Sequence, residues 1–98
     1  MADKQYRFQI AVSAQRQYDK AIKKRPEKRE KVRKAVKLME TYGPSYPSFR
    51  THMLEGVKAE SEPIYISYIE NNTPSAWRIH WSWWGDNKIV ALYVGPHP

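Results

Sequence analysis

Apolar and polar residues alternate most regularly over residues 76–97, and this stretch gives the chain its strongest structural signal. A Gly-Asp-Asn cluster at residues 85–87 divides the stretch, which predicts two adjacent antiparallel strands joined by a turn. A period of two puts one set of side chains from the first strand on a packing face: Trp77, Ile79, Trp81 and Trp83. The other face then presents Arg78, His80, Ser82 and Trp84. Residues 89–94 are apolar on both faces and predict a buried central strand.

The N-terminal half predicts one strand followed by two helices. Residues 6–12 alternate like a strand. Ser13 is the expected N-cap of a short helix, because its hydroxyl can accept a hydrogen bond from a free N–H of the first turn. Pro26 breaks this helix and suits the first turn of a second, which we expect to run to Tyr42 and to end at Gly43.

The middle of the chain is less regular. Residues 49–56 predict an extended entry to the sheet, and the polar segment 57–63 is expected to be mobile. Residues 64–70 predict a strand that ends at the turn-rich residues 71–75. The predicted element order is therefore β-α-α-β-β-β, an α+β fold in which a helical hairpin packs on an antiparallel meander. A length of 98 residues suits a single domain, which we take as 1–98.

The formal net charge of +7 is concentrated in one region. Residues 19–37 hold ten Lys and Arg against three acids, while the rest of the chain is neutral. Such a basic surface fits a polyanion or an acidic partner. A solvated helix face that lysines keep soluble explains the same pattern, and charge alone does not choose between them.

Composition excludes several kinds of chemistry. The chain has no cysteine, so it offers no disulfide framework and no thiolate nucleophile. No segment has the length and apolarity of a membrane span or a signal peptide, so we expect a cytoplasmic protein that does not contact a membrane. The three histidines and Asp86 lack the spacing of a zinc site, and we expect neither a metal nor a cofactor.

Three short motifs together resemble the RelE/ParE superfamily, the toxins of bacterial type II toxin–antitoxin systems. They are THMLEG at 51–56, AWRIHW at 76–81 and VGPHP at 94–98. The order of elements and the basic helix pair agree with the same family, so the resemblance covers nearly the whole chain. It is closest to the YafQ-like branch, in which an HxLxG motif precedes the meander and a G-x-H motif closes the last strand. The run NNTPSAWRIHW is also similar to small, solitary members of the superfamily.

The resemblance implies a metal-independent endoribonuclease that cuts mRNA, usually on the ribosome, and so inhibits translation. The ribose 2′-OH attacks the adjacent phosphate, which requires a base, an acid and positive charge on the phosphate. Matching the motifs residue by residue assigns these catalytic roles to His52, Arg78 and His97. The expected RNA and phosphate contacts are Arg50, His80, Trp84, Tyr68, Lys23, Lys24 and Arg25. The expected partners are mRNA and a small antitoxin with an acidic, apolar segment.

Two other classes of function remain open. A ParE-like toxin shares the fold but inhibits DNA gyrase by binding it, and the absence of basic residues from 64–70, where RelE has lysines, fits that interpretation. A solitary, non-toxic module that binds nucleic acid or protein would also keep the fold. Each candidate residue has a structural alternative as well: Arg78 could pair with Glu70 or Asp86, and His80 could pack beside Trp84 or Tyr68.

Overall fold

The structure is a computed structural model that describes residues 4–59 and 62–97. Within these ranges the chain forms a five-stranded mixed sheet and two α-helices. The elements are β1 (Arg7–Ile10), α1 (Val12–Lys24), α2 (Arg29–Tyr42), β2 (His52–Ala59), β3 (Glu62–Tyr68), β4 (Arg78–Trp83) and β5 (Lys88–Gly95), with short 3₁₀ turns at Pro26–Lys28 and Pro47–Phe49. Neither helix of the described ranges is long and apolar enough to cross a membrane.

The strand order across the sheet is β1-β5-β4-β3-β2. Strands β2 to β5 form an antiparallel meander, whereas β1 lies parallel to β5, with Arg7 opposite Lys88 and Ile10 opposite Ala91. A parallel neighbour requires a long crossover, and the rest of the chain supplies it between β1 and β5. Strand β5 is therefore central, as the apolar run at 89–94 predicts.

The α+β class is confirmed, but the predicted element order is wrong by one strand. The predicted entry at 49–56 is a 3₁₀ turn followed by β2, so the meander has four strands instead of three. Most of the segment expected to be mobile also lies in β2 and β3, while residues 60 and 61 lie outside the described residues. A β-bulge between Leu54 and Lys58 interrupts the alternation, and Gly56 within it has φ of 77°. The bulge removes the period of two by which a strand is recognised.

The start of α1 also differs from the prediction. The helix begins at Val12 with Ala11 as its N-cap, and no side chain caps it, so Ser13 is inside the first turn. Strand β1 ends at Ile10, and the N–H of Ala11 still donates to the carbonyl of Ala91 in β5. Because the sheet holds the chain up to Ala11, the helix can start there without a capping side chain.

Both helices pack on one face of the sheet and form the core with it. The helices contribute Ile22, Val32, Ala35 and Met39, and the strands contribute Ile79, Trp81, Ile89 and Val94. The inward side chains of β4 are as predicted, since Ile79 and Trp81 are at most 1% exposed. Truncating a buried aromatic side chain to alanine typically costs about 3–5 kcal/mol. We call the opposite side of the sheet, which carries Arg78, His80 and Ser82, the open face.

A chain of hydrogen bonds fixes the start of β2 to the core. The indole N–H of Trp81 donates to Ser67 Oγ at 2.9 Å, and Ser67 Oγ lies 2.6 Å from Thr51 Oγ1. Thr51 Oγ1 in turn donates to the Pro44 carbonyl. Because a carbonyl can only accept, the Ser67 hydroxyl must donate to Thr51. This chain positions the backbone directly before His52.

Glu70 ties α2 to the connection between β3 and β4. Its Oε2 accepts from Lys28 Nζ at 2.7 Å and Lys31 Nζ at 2.8 Å, and its Oε1 accepts from the backbone N–H of Trp77 at 3.1 Å. Burial disfavours the carboxylate and would raise its pKa. The three hydrogen bonds outweigh burial and hold the pKa of Glu70 at about 2.

Replacing Glu70 by glutamine should remove the acid-dependent part of this stabilisation. A carboxyl whose pKa is lower in the folded state stabilises fully above its unfolded pKa of about 4.5, and this contribution is lost as the pH falls towards 2. We expect Glu70→Gln to be about 1–3 kcal/mol less stable at pH 7, since hydrogen bonds to a charged group are lost. The difference from the original protein should shrink between pH 4.5 and 2.

Urea unfolding at several pH values measures this difference. The matched control is Glu30→Gln, because among the residues that the structure describes Glu30 pairs only with Arg33, at 3.7 Å and exposed. An equal loss of stability in Glu70→Gln at every pH would contradict the assigned role of the carboxylate.

Candidate functional site

An open cleft of about 670 Å³ lies where β3 ends and β4 begins. Four of the residues predicted from sequence line it: Arg50, His52, Tyr68 and Arg78. The remaining wall is formed by Glu70 and by the connection at residues 71–76. The structure thus gathers residues from two predicted motifs, THMLEG and AWRIHW, at one end of the sheet.

Arg78 is the cation at the base of this cleft. It is the first residue of β4, lies opposite Tyr68 of β3 and is 9% exposed. Its Nε–H donates to the Ala76 carbonyl at 3.2 Å, and its Cζ lies 4.8 Å from the centroid of the Tyr68 ring. This cation–π contact and the backbone bond orient the guanidinium.

No carboxylate neutralises Arg78 within the described ranges. Glu70, its expected structural partner, is bound instead by Lys28 and Lys31, and Asp86 lies beyond the other end of β4. The interpretation of Arg78 as half of a structural ion pair with either acid is therefore wrong. A guanidinium held in this way can bind a phosphate with two parallel hydrogen bonds.

His52 and Arg50 form the wall of the cleft on the β2 side. Arg50 adopts a left-handed conformation with φ of 47° directly before β2, which is uncommon for a residue with a side chain. Its carbonyl lies 3.2 Å from His52 Nδ1 and can only accept, so Nδ1 carries the proton of this contact, and in the neutral ring Nε2 is the acceptor. The His52 ring, 5.8 Å from that of Tyr68, is exposed and can accept a proton through Nε2.

A second group of side chains lies on the side of Arg78 that faces β5. It consists of His80, Tyr93 and His97. His80 lies opposite Tyr93, with ring centroids 5.2 Å apart, so it packs on Tyr93 instead of on Trp84 or Tyr68. Burial lowers the pKa of His80, and the nearby charges of Arg78 and His97 lower it further. His80 Nε2 is buried and has no hydrogen-bond partner among the described residues.

The turn that carries His97 is held by two residues that the sequence analysis did not identify. The Tyr93 hydroxyl donates to the Pro96 carbonyl at 2.6 Å. The side-chain amide of Gln17 donates to the Val94 carbonyl at 2.9 Å and accepts from the Val94 N–H at 3.1 Å. A Cβ on Gly95 would lie 2.9 Å from Gln17 Nε2, so the glycine of the G-x-H motif permits this close packing.

The two histidines that the motifs assign to proton transfer stand on opposite sides of Arg78. His52, Ile66, His80 and Tyr93 form one row across β2, β3, β4 and β5. With neighbouring strands about 4.8 Å apart, the β2 and β5 backbones are separated by about 14 Å in this row. His97 follows β5, on the far side of Arg78 from His52, so a bond that the two histidines share as acid and base would lie between them, near Arg78.

The remaining predicted residues are more distant. Lys24 and Arg25 line a groove of about 220 Å³ with Tyr93 and Pro96, which places them beside the turn of His97. Lys23 is exposed and does not line that groove, and Arg25 Nε is already bonded to Glu27 at 2.6 Å. Trp84 lies six residues along the chain from Arg78, about 20 Å away in an extended strand, so it is not part of the cleft.

Comparison with known proteins gives no relative for this chain. No family model, no curated protein and no solved structure matches it. Within the described residues, no group of three or more His, Asp or Glu side chains is placed to hold a metal ion. The geometry and chemistry of the cleft are therefore the basis on which a function can be inferred.

The burial of His80 and its position beside Arg78 predict a lowered pKa for its imidazole, which can be measured. We expect His80 to titrate below the ordinary value of 6.5, and Arg78→Gln to raise its pKa because a nearby positive charge is removed. The pH dependence of the imidazole C–H resonances measures both effects. Arg33→Gln, which removes an exposed cation from α2, is the control and should leave the pKa unchanged. A His80 pKa at or above 6.5 would be inconsistent with the described packing.

Proposed function

We propose that this protein is a metal-independent endoribonuclease of the RelE/ParE type, a toxin that cleaves mRNA on the ribosome. The observation that supports the proposal most is Arg78, a cation that no carboxylate within the described ranges pairs with, at the base of an open cleft beside His52. A scissile phosphate at Arg78 would lie between a histidine on the β2 side and a histidine after β5. This arrangement provides positive charge and two groups for proton transfer.

The proposed reaction needs no group beyond these side chains. His52 Nε2 removes the proton from the ribose 2′-OH, and the oxygen attacks the phosphorus held at Arg78. The bond from phosphorus to the 5′-oxygen breaks, and His97, in its protonated form, donates a proton to that oxygen. The products are a 2′,3′-cyclic phosphate and a free 5′-hydroxyl. Because attacking and leaving oxygens lie on opposite sides of phosphorus, an acid and a base on opposite sides of Arg78 suit this step.

The charges around the cleft favour an RNA backbone. Arg50 lies on one wall, and Lys24 lies in the groove next to Pro96 on the other side. The carboxylate of Glu70 faces the same cleft but is compensated by two lysines, so it does not repel a phosphate as a free carboxylate would. Glu70, the carboxylate that lines the cleft, is already bonded to Lys28 and Lys31 and is therefore less available to a divalent cation such as Mg²⁺, which favours cleavage without a bound metal.

The proposed partner of the free toxin is a small antitoxin with an acidic, apolar segment. Several cations of α1 and α2, among them Lys20, Lys34 and Lys37, have no ion pair within the described ranges and would attract such a segment. Binding there would also neutralise the side of the molecule that leads to the cleft.

Induced expression in a bacterial host tests the nuclease function. We expect the original protein to stop growth and to cleave a reporter mRNA, and we expect His52→Ala, His97→Ala and Arg78→Ala each to lower cleavage by about 100-fold or more. Arg78→Lys keeps the charge but not the two parallel donors, and should retain part of the activity. Arg33→Ala is the control and should stay fully active. Cleavage of ribosome-free RNA by the purified protein, where it is measured, should be the same with and without EDTA.

The other interpretations predict different outcomes. Growth arrest with intact mRNA that survives His52→Ala would replace the nuclease with gyrase inhibition. The absence of any arrest would favour a binding module with this fold. Circular dichroism of Arg78→Ala is needed beside these assays, because the residue is buried and its loss could unfold the protein.

A further inference from the structure

An exposed aromatic residue and two cations lie at the far end of the open face. The backbone N–H of Trp84 donates to the Lys88 carbonyl at 2.8 Å, and Lys88 lies opposite Arg7 of β1. The register thus places three residues side by side on the same face, and we call them the distal row: Trp84, Lys88 and Arg7. Trp84 is 50% exposed, and Arg7 is exposed as well.

The turn between β4 and β5 holds this row in place. Gly85 and Asn87 both have positive φ, at 73° and 56°, which a tight hairpin turn requires. The Asn87 carbonyl accepts from the backbone N–H of Arg7 at 2.9 Å, which joins β1 to the turn. The indole of Trp84 is therefore an exposed ring on a fixed backbone, and it requires little ordering to bind a planar ligand.

The charges of the row are available to a ligand. Neither Arg7 nor Lys88 forms an ion pair within the described ranges, and both line a cleft of about 460 Å³ at the edge of β1. The acid in that cleft, Glu40, is paired with Lys4 at 3.4 Å. A ring beside two such cations fits a base stacked on Trp84 with its phosphates at Lys88 and Arg7.

The same face connects this row to the cleft. Arg78, His80, Ser82 and Trp84 follow one another at every second residue, and about 20 Å separates Arg78 from Trp84. Between them the face carries uncharged side chains, of which Ile64 and His80 are half-buried and Ile66, Ser82 and Val90 are buried. The alternation of β3 puts one carboxylate, Glu62, on the same face. Glu62 is the first residue of β3, and the pairing of β3 with β4 begins three residues later, at Tyr65.

We propose that Trp84, Lys88 and Arg7 form a stacking site for a base of single-stranded RNA, remote from the cleavage cleft and on the same face. At the spacing of about 3.4 Å per nucleotide in a stacked strand, 20 Å corresponds to about six nucleotides, and to fewer in an extended strand. The substrate would then continue from the cleft to Trp84. That the strand is RNA rests on the proposed nuclease function.

Binding of short 2′-O-methyl oligonucleotides tests the proposal without cleavage, because the blocked 2′ oxygen cannot attack the phosphate. Fluorescence anisotropy with three-nucleotide and eight-nucleotide probes compares a ligand that covers one end of the face with one that covers both. For the original protein we expect the longer probe to bind more tightly. Trp84→Ala should weaken binding of the longer probe by about tenfold or more, and Trp84→Phe should restore most of it.

The contributions of Lys88 and Arg7 can be measured separately, from the salt dependence of binding. Lys88→Ala and Arg7→Ala should each lower the slope of log affinity against log salt concentration by about one, because each removes one phosphate contact. The matched controls are Met53→Ala, an exposed apolar residue of β2, and Arg33→Ala, an exposed cation of α2. Both controls should bind the longer probe as the original protein does.

The results separate this inference from the proposed function. Equal binding of the longer probe by Trp84→Ala and the original protein would overturn the stacking site, even if mRNA cleavage is found. Weaker binding by Trp84→Ala would support it, even if no cleavage is found and the nuclease proposal fails. If the original protein binds neither probe, the stacking site is overturned as well.

Discussion

The alternation of side chains along β4 is the constraint on which the rest of the structure depends. One set of residues, with Ile79 and Trp81 at its centre, completes the core, and the next residue in each case faces the opposite side. A slip of one residue in the pairing would turn Arg78 and His80 towards the core and the tryptophans away from it. The hydrogen bond from Trp81 to Ser67 and the bulge between His80 and Trp81 fix the register against such a slip. The stability of the core therefore determines the position of Arg78.

Glu70 connects that register to the electrostatics of the cleft. A carboxylate so close to Arg78 would ordinarily form an ion pair with it, and a phosphate would then have to displace the carboxylate. Here Lys28 and Lys31 satisfy Glu70 from the side of α2, and Tyr68 covers the guanidinium without neutralising it. The helix pair thus has two roles. It covers the core face of the sheet, and by binding Glu70 it leaves Arg78 without a carboxylate partner among the described residues.

The sequence allowed accurate prediction where a local pattern decides the structure. The inward and outward residues of β4, the central position of β5 and the end of α2 at Gly43 all follow from periodicity or from the glycine signal. Strand β2 was not recognised because its bulge removes the alternation, and Ser13 was assigned a cap that the sheet makes unnecessary. Gln17 binds Val94, 77 residues away, and no local pattern indicates such a contact. The structure places Arg50, His52 and Arg78 along one cleft, whereas Trp84 lies about 20 Å from Arg78, a separation that the motifs do not indicate.

The distribution of charge on the open face bears on the kind of nucleic acid that the proposed function would involve. Cations stand at both ends, at Arg78 and at Lys88 with Arg7, and the side chains of β4 between them, His80 and Ser82, carry no carboxylate or lysine. A duplex presents phosphates along its whole length and keeps its bases stacked inside, so it would leave Trp84 without a base to stack on. In the proposed complex, a single strand would place an unpaired base on Trp84 while its phosphates reach the two ends. Two weak sites joined by one strand also bind more tightly than either alone, since the second contact is intramolecular. In the proposed nuclease, the lack of basic residues in β3 would leave the phosphate contacts to the two ends of the face.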